Sequence, residues 1–195
     1  MVQRRDRRVE RTQQLLREAL LSLIREKGFE ALTVQEIIDR ANVGRATFYA
    51  HFDNKDDLLL SGFVEFRASL KAGQRDALSH GRNVEDRVFA FSHEIFSHTN
   101  EYRDVFRAMV GKRSGAALQR LLHKLLVDLV REDVKQTVTR AGNDSVPAEA
   151  VVQFMAGALF GLLMWWLDGR PRLSVPEVNA LFRRLAVPAL KAARG

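Results

Sequence analysis

Cysteine is absent from the chain, which excludes disulfides, Cys-ligated zinc and thiol catalysis together. No strand pattern, internal repeat or low-complexity tract interrupts a succession of helical periods, so the expected fold class is all-α. The N-terminal MVQRRDRRVER is charged, and no apolar segment of a secretory signal follows it, so a cytoplasmic location is expected. Catalytic constellations are missing too. Glu94 and His98 share a helix face at i and i+4, but no second ligand pair, nucleophile with its base, or Gly-rich phosphate loop accompanies them. No enzyme, metal site or cofactor is expected.

What is present is a chain of 195 residues, 46% hydrophobic, with a formal charge of +7. That length suits one large helical domain, or a small domain followed by a larger one. The positive charge suggests a polyanionic partner, but its distribution does not locate the contact. Residues 1–60 hold 11 Lys plus Arg against 10 Asp plus Glu, and the remainder 20 against 14. Motifs have to supply the location.

Residues 33–52, TVQEIIDRANVGRATFYAHF, supply it. Thr33 with Glu36 makes a capping box and Leu32 with Ile37 a hydrophobic staple, so a helix begins at Val34. Asn42 stands where the chain must turn left-handed, and Val43 tucks under the turn. Gly44 is the N-cap of a second helix whose Phe48 and Phe52, one turn apart, face inward. Outward remain Arg45, Ala46, Thr47, Tyr49, Ala50 and His51. A helix entering a major groove needs this set: a small residue for close approach, donors for base edges and phosphates, and backbone N–H groups at its N-terminus.

The flanks frame this pair. Apolar residues at Leu15, Leu16, Ala19, Leu20, Leu23 and Ile24 predict a helix over about 12–27, closed by Gly28 and Phe29 in a Schellman cap. Ahead of it, Arg4, Arg5, Arg7, Arg8 and Arg11 form a basic arm that either tracks DNA or is a solvated terminus. After it, Asp53 or Asn54 caps a fourth helix reaching Lys71 and as far as Ser79. Lys55 in its first turn opposes the helix dipole, a conflict a phosphate would relieve.

With both flanks in register, residues 11–63 resemble the TetR family of bacterial transcriptional regulators, through GFEALTV, ANVGRATFYAHF and NKDDL. The resemblance implies a DNA-binding domain over 1–60 and a helical regulatory and dimerisation domain over 61–195. It also implies DNA contacts at Thr33, Gln35, Arg45, Thr47, Tyr49, His51 and Lys55, beside the close-approach residue Ala46. Asn42 and Gly44 depart from the family's commoner Gly and Ser, so an N-cap hydroxyl is lacking. Ala50 replaces a larger ring, which bears on the operator sequence.

About nine helices are expected in all. Asn83 caps one over 84–98, Asn100 a shorter one ending before Gly111, and Ser114 a long one ending near Gly142-Asn143. Pro147 opens an apolar helix over 150–167 that is long enough to reach the lower bound for a membrane span. Its Gln153 is the one polar residue, and Glu149 and Asp168 flank it closely, so burial by protein is expected instead. Ser174 and Glu177 box the last helix, which Pro188 should kink or fray.

The apolar helix shows hydrophobic surface on more sides than one protomer covers. A homodimer is therefore expected through the last two helices, at Phe154, Gly157, Ala158, Gly161, Leu181, Phe182 and Leu185. Two readers about 34 Å apart would then meet a palindromic operator in double-stranded DNA. The resemblance further implies a small-molecule effector, mostly apolar, with Phe89, Phe96, Tyr102, Phe106, Met109, Met155 and Trp165 as pocket residues. His93, His98, His123 and Arg103 are possible polar partners. The function expected is a ligand-responsive repressor; an activator, or a helical interaction module without operator binding, are the alternatives.

Overall fold

The computed structural model describes residues 2–80, 87–109, 113–137, 146–169 and 173–193. Among them are nine helices and no strand: α1 Val2–Lys27, α2 Val34–Ala41, α3 Arg45–Tyr49, α4 Lys55–His80, α5 Ser92–Glu101, α6 Arg103–Met109, α7 Arg113–Thr137, α8 Ala148–Leu167 and α9 Val175–Ala192. The chain forms two compact units. The first is Met1–Phe66 with Asp104–Ser114, and the second Arg67–Arg103 with Gly115–Gly195. Helix α4 begins in one and ends in the other.

In the first unit, α1 begins ten residues before the sequence period, so the arginine-rich segment expected as an arm is helical. The Thr12 hydroxyl donates to the Arg8 carbonyl at 2.9 Å, a bond made inside a helix. Helix α1 stops at Gly28, whose φ of 77° and amide bond to Ile24 O end it as expected. Phe29, Ile24, Leu20 and Leu16 are buried with Ile37, Phe48 and Leu58 in one apolar core. Arg40 fastens α2 to α1 with a forked contact to Glu26, at 2.6 and 2.8 Å, and a bond to Ser22 Oγ at 2.7 Å. Arg25 Nε reaches Asp104 Oδ2 of α6 at 2.5 Å.

The second unit is organised around buried polar groups. Gln74 of α4 donates to Leu129 O and to Asp133 Oδ1, both at 2.7 Å. The second Asp133 oxygen accepts the Phe89 amide at 2.6 Å, and Phe89 sits at a left-handed φ of 55°. This turn corrects the expectation of one helix over 84–98: the chain turns at residues 88–91 and α5 starts at Ser92. The cap proposed at Asn83, and the helix end proposed at 142–143, lie outside the described residues. Asn100 lies inside α5 and caps nothing, and the break before α6 falls at Tyr102. Ser174 and Glu177 form their box, and α9 runs on through Pro188 to Ala192.

By length and composition α8 could cross a membrane. Its Val151, Met155, Leu159, Leu163 and Trp166 are buried within the unit.

Candidate nucleic-acid interface

The reader's geometry follows from its caps. Thr33 accepts the Glu36 amide at 3.3 Å while a Glu36 oxygen takes the Thr33 amide at 2.9 Å, so two of the open donors at the start of α2 are satisfied. Lys27 also binds Glu36, and together with the Thr33 donors it holds that carboxyl down to about 2. At the other end Asn42 takes φ 51° and ψ 48°, and the Val43 amide returns to Ile38 O at 3.1 Å. Gly44 then caps α3 in an extended conformation that any residue adopts. A Cβ there would meet Thr47 Oγ1 at 3.6 Å, ordinary contact.

Phe48 is fully buried, between Phe52 and the edge of Tyr49. Burying one ring in a five-residue helix fixes which side faces out. Thr33, Gln35, Arg45, Ala46, Thr47, Tyr49 and Ala50 are exposed, and His51 is half-buried beside Phe52. The exposed polar groups are linked. Arg45 lies over the Tyr49 ring at 5.6 Å and donates to Gln35 Oε1 at 3.3 Å, while Gln35 donates to Asp39 at 2.8 Å. This chain sets the guanidinium across the exposed side of α3 ahead of any partner.

Lys55 is placed differently from the rest. Its ammonium points into the loop between α1 and α2, donating to the carbonyls of Phe29, Glu30 and Leu32. Three carbonyls thus surround the ammonium at the first turn of α4. Asn54 caps α4, accepting the Asp57 amide at 2.9 Å.

In the second unit the residues expected to line a pocket fall apart. Phe89, Phe96 and Met155 are buried there, Phe89 against Phe91 and Phe182, and Phe96 against Trp166. Phe106 and Met109 belong to the first unit. Tyr102 is half-buried against His98, whose imidazole burial holds below its ordinary pKa. Trp165 is 43% exposed and does not line the interior; the buried indole is Trp166. Arg103 stacks on that ring at 4.1 Å and donates to its carbonyl, and Trp166 Nε1 donates to Leu173 O at 2.9 Å.

Phe182, expected on a subunit interface, is buried against Phe89 instead. Phe154 and Leu185, by contrast, are 65% and 63% exposed, Gly157, Ala158 and Gly161 are exposed between them in sequence, and Leu181 is half-buried. At helical spacing Phe154, Ala158, Gly161 and Trp165 form one stripe on α8. Sequence reasoning missed the Glu26–Arg40 brace and the buried Asp133. The brace had an available signal, opposite charges on the facing sides of two helices; Asp133 had none locally.

Two family models match the chain. Residues 16–61 match the bacterial regulatory proteins of the tetR family, and residues 86–186 match a transcriptional regulator C-terminal region. The HTH-type transcriptional repressor KstR2 of Mycobacterium tuberculosis is 24% identical over 169 residues, 80% of this chain and 82% of that protein. An uncharacterised HTH-type transcriptional regulator of Bacillus subtilis, YxbF, is 20% identical over 154 residues; the match takes in 78% of this chain but only 39% of YxbF's length. The fold resembles that of SmeT in its triclosan complex, with a TM-score of 0.70 at 17% identity, over 91% of this chain and 90% of that one. A capped helix pair with a polar outer row, inside two matched regions that together span most of the described residues, admits one assignment: the chain belongs to the TetR family of bacterial regulatory proteins and is a helix-turn-helix, DNA-binding transcription regulator.

Proposed function

We propose that the protein is a ligand-responsive repressor that binds a palindromic operator as a homodimer in the cytoplasm. Residues 1–60 read the DNA, and residues 61–195 bind an effector and dimerise. The observation that carries the reading is the row Gln35, Arg45, Thr47 and Tyr49, held outward on helices whose other sides are buried. Thr33, Ala46 and His51 complete the DNA contacts. Two such rows, one from each protomer, would meet successive turns of a major groove.

The dimer contact is assigned to the α8 stripe of Phe154, Gly157, Ala158, Gly161 and Trp165, with Leu181 and Leu185 of α9. Phe154 and Leu185 are large apolar groups left open in a single protomer, and the glycines leave room for a second helix. The effector is a small, mostly apolar molecule bound in the second unit near Phe96, Met155 and Tyr102. SmeT's complex with triclosan supports that class, and KstR2's description as a repressor supports the sign of regulation. A coupling of about 1–3 kcal/mol between effector and operator would lower DNA affinity roughly 5- to 150-fold.

The test is a gel shift on the DNA upstream of the protein's own gene, for wild type and Tyr49→Ala, with apolar compounds titrated in. Binding that is equal in both proteins and insensitive to salt, or release by strongly charged hydrophilic compounds alone, would sink the proposal.

A further inference from the structure

We propose that Asp133, Gln74 and the Phe89 turn form a proton-operated latch, which holds α4 and α9 to α7 while the carboxyl keeps its proton and opens the turn to water when the proton leaves. Three helices and a turn meet at this one group. Asp133, Gln74 and Ser92 are all buried. The Gln74 amide of α4 lies 2.7 Å from one carboxyl oxygen and 2.7 Å from Leu129 O of α7, and the Phe89 amide lies 2.6 Å from the other oxygen. The turn is tied to α9 as well. Its Phe89 ring stands 5.3 Å from the Phe182 ring, Ser92 Oγ lies 2.7 Å from Phe89 O and 2.6 Å from Asn179 Oδ1, and Arg183 donates to Val88 O at 2.8 Å.

Phe89 makes the junction able to move. A bulky residue keeps a left-handed φ, here 55°, only where its surroundings impose it, and the bond to Asp133 is one of the contacts that do. Among the described residues the charged groups acting on Asp133 are Arg183 of α9, which favours the ionised form, and Glu132 beside it on α7, which opposes it. The other elements present neutral groups: Gln74 from α4, the Phe89 amide from the turn, and the Ser92 hydroxyl from α5. Burial outweighs the donors and Arg183, and moves the carboxyl from 3.8 up to about 7.

The closed turn therefore holds the proton more tightly than an open one, and losing it to solvent favours opening. Between a value of 3.8 when open and about 7 when closed, linkage makes opening roughly 30-fold more favourable near about pH 8 than near about pH 5.5. Helix α4 begins in the first unit and ends in the second, where Gln74 is bonded to the latch. Its anchorage there varies with pH close to neutrality.

The test uses the full-length protein free of DNA and effector. Carboxyl-carbon NMR of wild type from about pH 5 to about pH 8.5 should show Asp133 titrating, with the Phe89 amide and the Gln74 side-chain amide shifting at the same midpoint. After correction for intrinsic exchange rates, the Phe89 and Ser92 amides should lose roughly 30-fold of their protection between about pH 5.5 and about pH 8. They should remain less protected than the amides of Leu159 and Leu163 in the buried side of α8. Asp133→Asn should abolish the pH dependence, and Gln74→Leu, which removes a donor favouring the ionised form, should raise the midpoint.

An Asp133 carbon that does not titrate in this range would overturn the latch. So would a loss of protection that persists in Asp133→Asn, which would assign the effect to another group. Phe89 and Ser92 amides exchanging no faster than those of Leu159 and Leu163 would also overturn it, leaving global unfolding as the opening event. If Asp133→Asn does not fold, the wild-type titration and exchange decide between these outcomes alone.

Discussion

The Phe89 amide donates to the Asp133 carboxyl group at 2.6 Å, and this bond joins a left-handed residue of the second unit to the fully buried acid of α7. A left-handed conformation costs a bulky residue roughly 1–2 kcal/mol, so the turn persists because its surroundings fix it. The Phe89 ring is buried against Phe91 and Phe182, its carbonyl lies 2.7 Å from Ser92 Oγ, and Arg183 donates to the neighbouring Val88 carbonyl at 2.8 Å.

Stability should therefore depend on pH through Asp133. Burial pushes its carboxyl up from 3.8 to about 7, against the pull of the Phe89 and Gln74 donors. Its neutral form is favoured in the fold, so its contribution is complete below pH 3.8 and is lost as pH rises through 7. Glu36 has the opposite sign: held at about 2, it stabilises above pH 4.5 and loses that effect as pH falls toward 2. The melting temperature should be higher near about pH 5.5 than near about pH 8, and Asp133→Asn should flatten that difference. Calorimetry showing no change across this range in wild type would mean that Asp133 does not titrate there.

Two adjacent rings of α3 should respond to truncation in opposite ways. Phe48→Ala empties a fully buried site and should cost about 3–5 kcal/mol in urea unfolding. Tyr49 is 47% exposed, so Tyr49→Ala should stay within about 1 kcal/mol of wild-type stability while weakening duplex binding roughly ten-fold. Loss of folding in Tyr49→Ala would assign the ring to the core.

Gly44→Ser should stabilise the first unit by a few tenths of a kcal/mol, because a hydroxyl at that N-cap accepts an amide that glycine cannot. The open 3.6 Å approach to Thr47 Oγ1 leaves room for it. Thermal unfolding measures the effect, and a drop in melting temperature would show that the cap needs glycine after all.

Gly161→Leu should change sign with oligomeric state. A Cβ at Gly161 meets nothing within 4 Å in one protomer, so leucine should add about 0.5–1 kcal/mol of helix propensity to an isolated chain. A close helix pair across a dimer would be wedged apart by the same side chain. Sedimentation equilibrium should find weaker self-association, and an unchanged dimer constant would place the interface elsewhere.

What was legible in the sequence was local. The Thr33 box, the left turn at Asn42, the Gly28 stop and the Ser174 box each need partners within a few residues, and each stands where its signal put it. The turn at Phe89 was not legible, because its reason is a carboxylate 44 residues away. The bonds of Lys55 were hidden for the same cause: its carbonyls lie 23 to 26 residues earlier, so only the dipole conflict was visible. Trp165 was placed inward because α8 is apolar all round, and a period with no polar side cannot say which face is inward, whereas Phe182 of α9 packs on Phe89, a ring far earlier in the chain.

Arg103 and Asp104 are joined by a single peptide bond, yet one stacks on Trp166 in the second unit and the other pairs with Arg25 in the first. Neighbours in the chain thus work for different units, so replacing Arg103 should spare the Arg25–Asp104 pair and replacing Asp104 should spare the stack on Trp166.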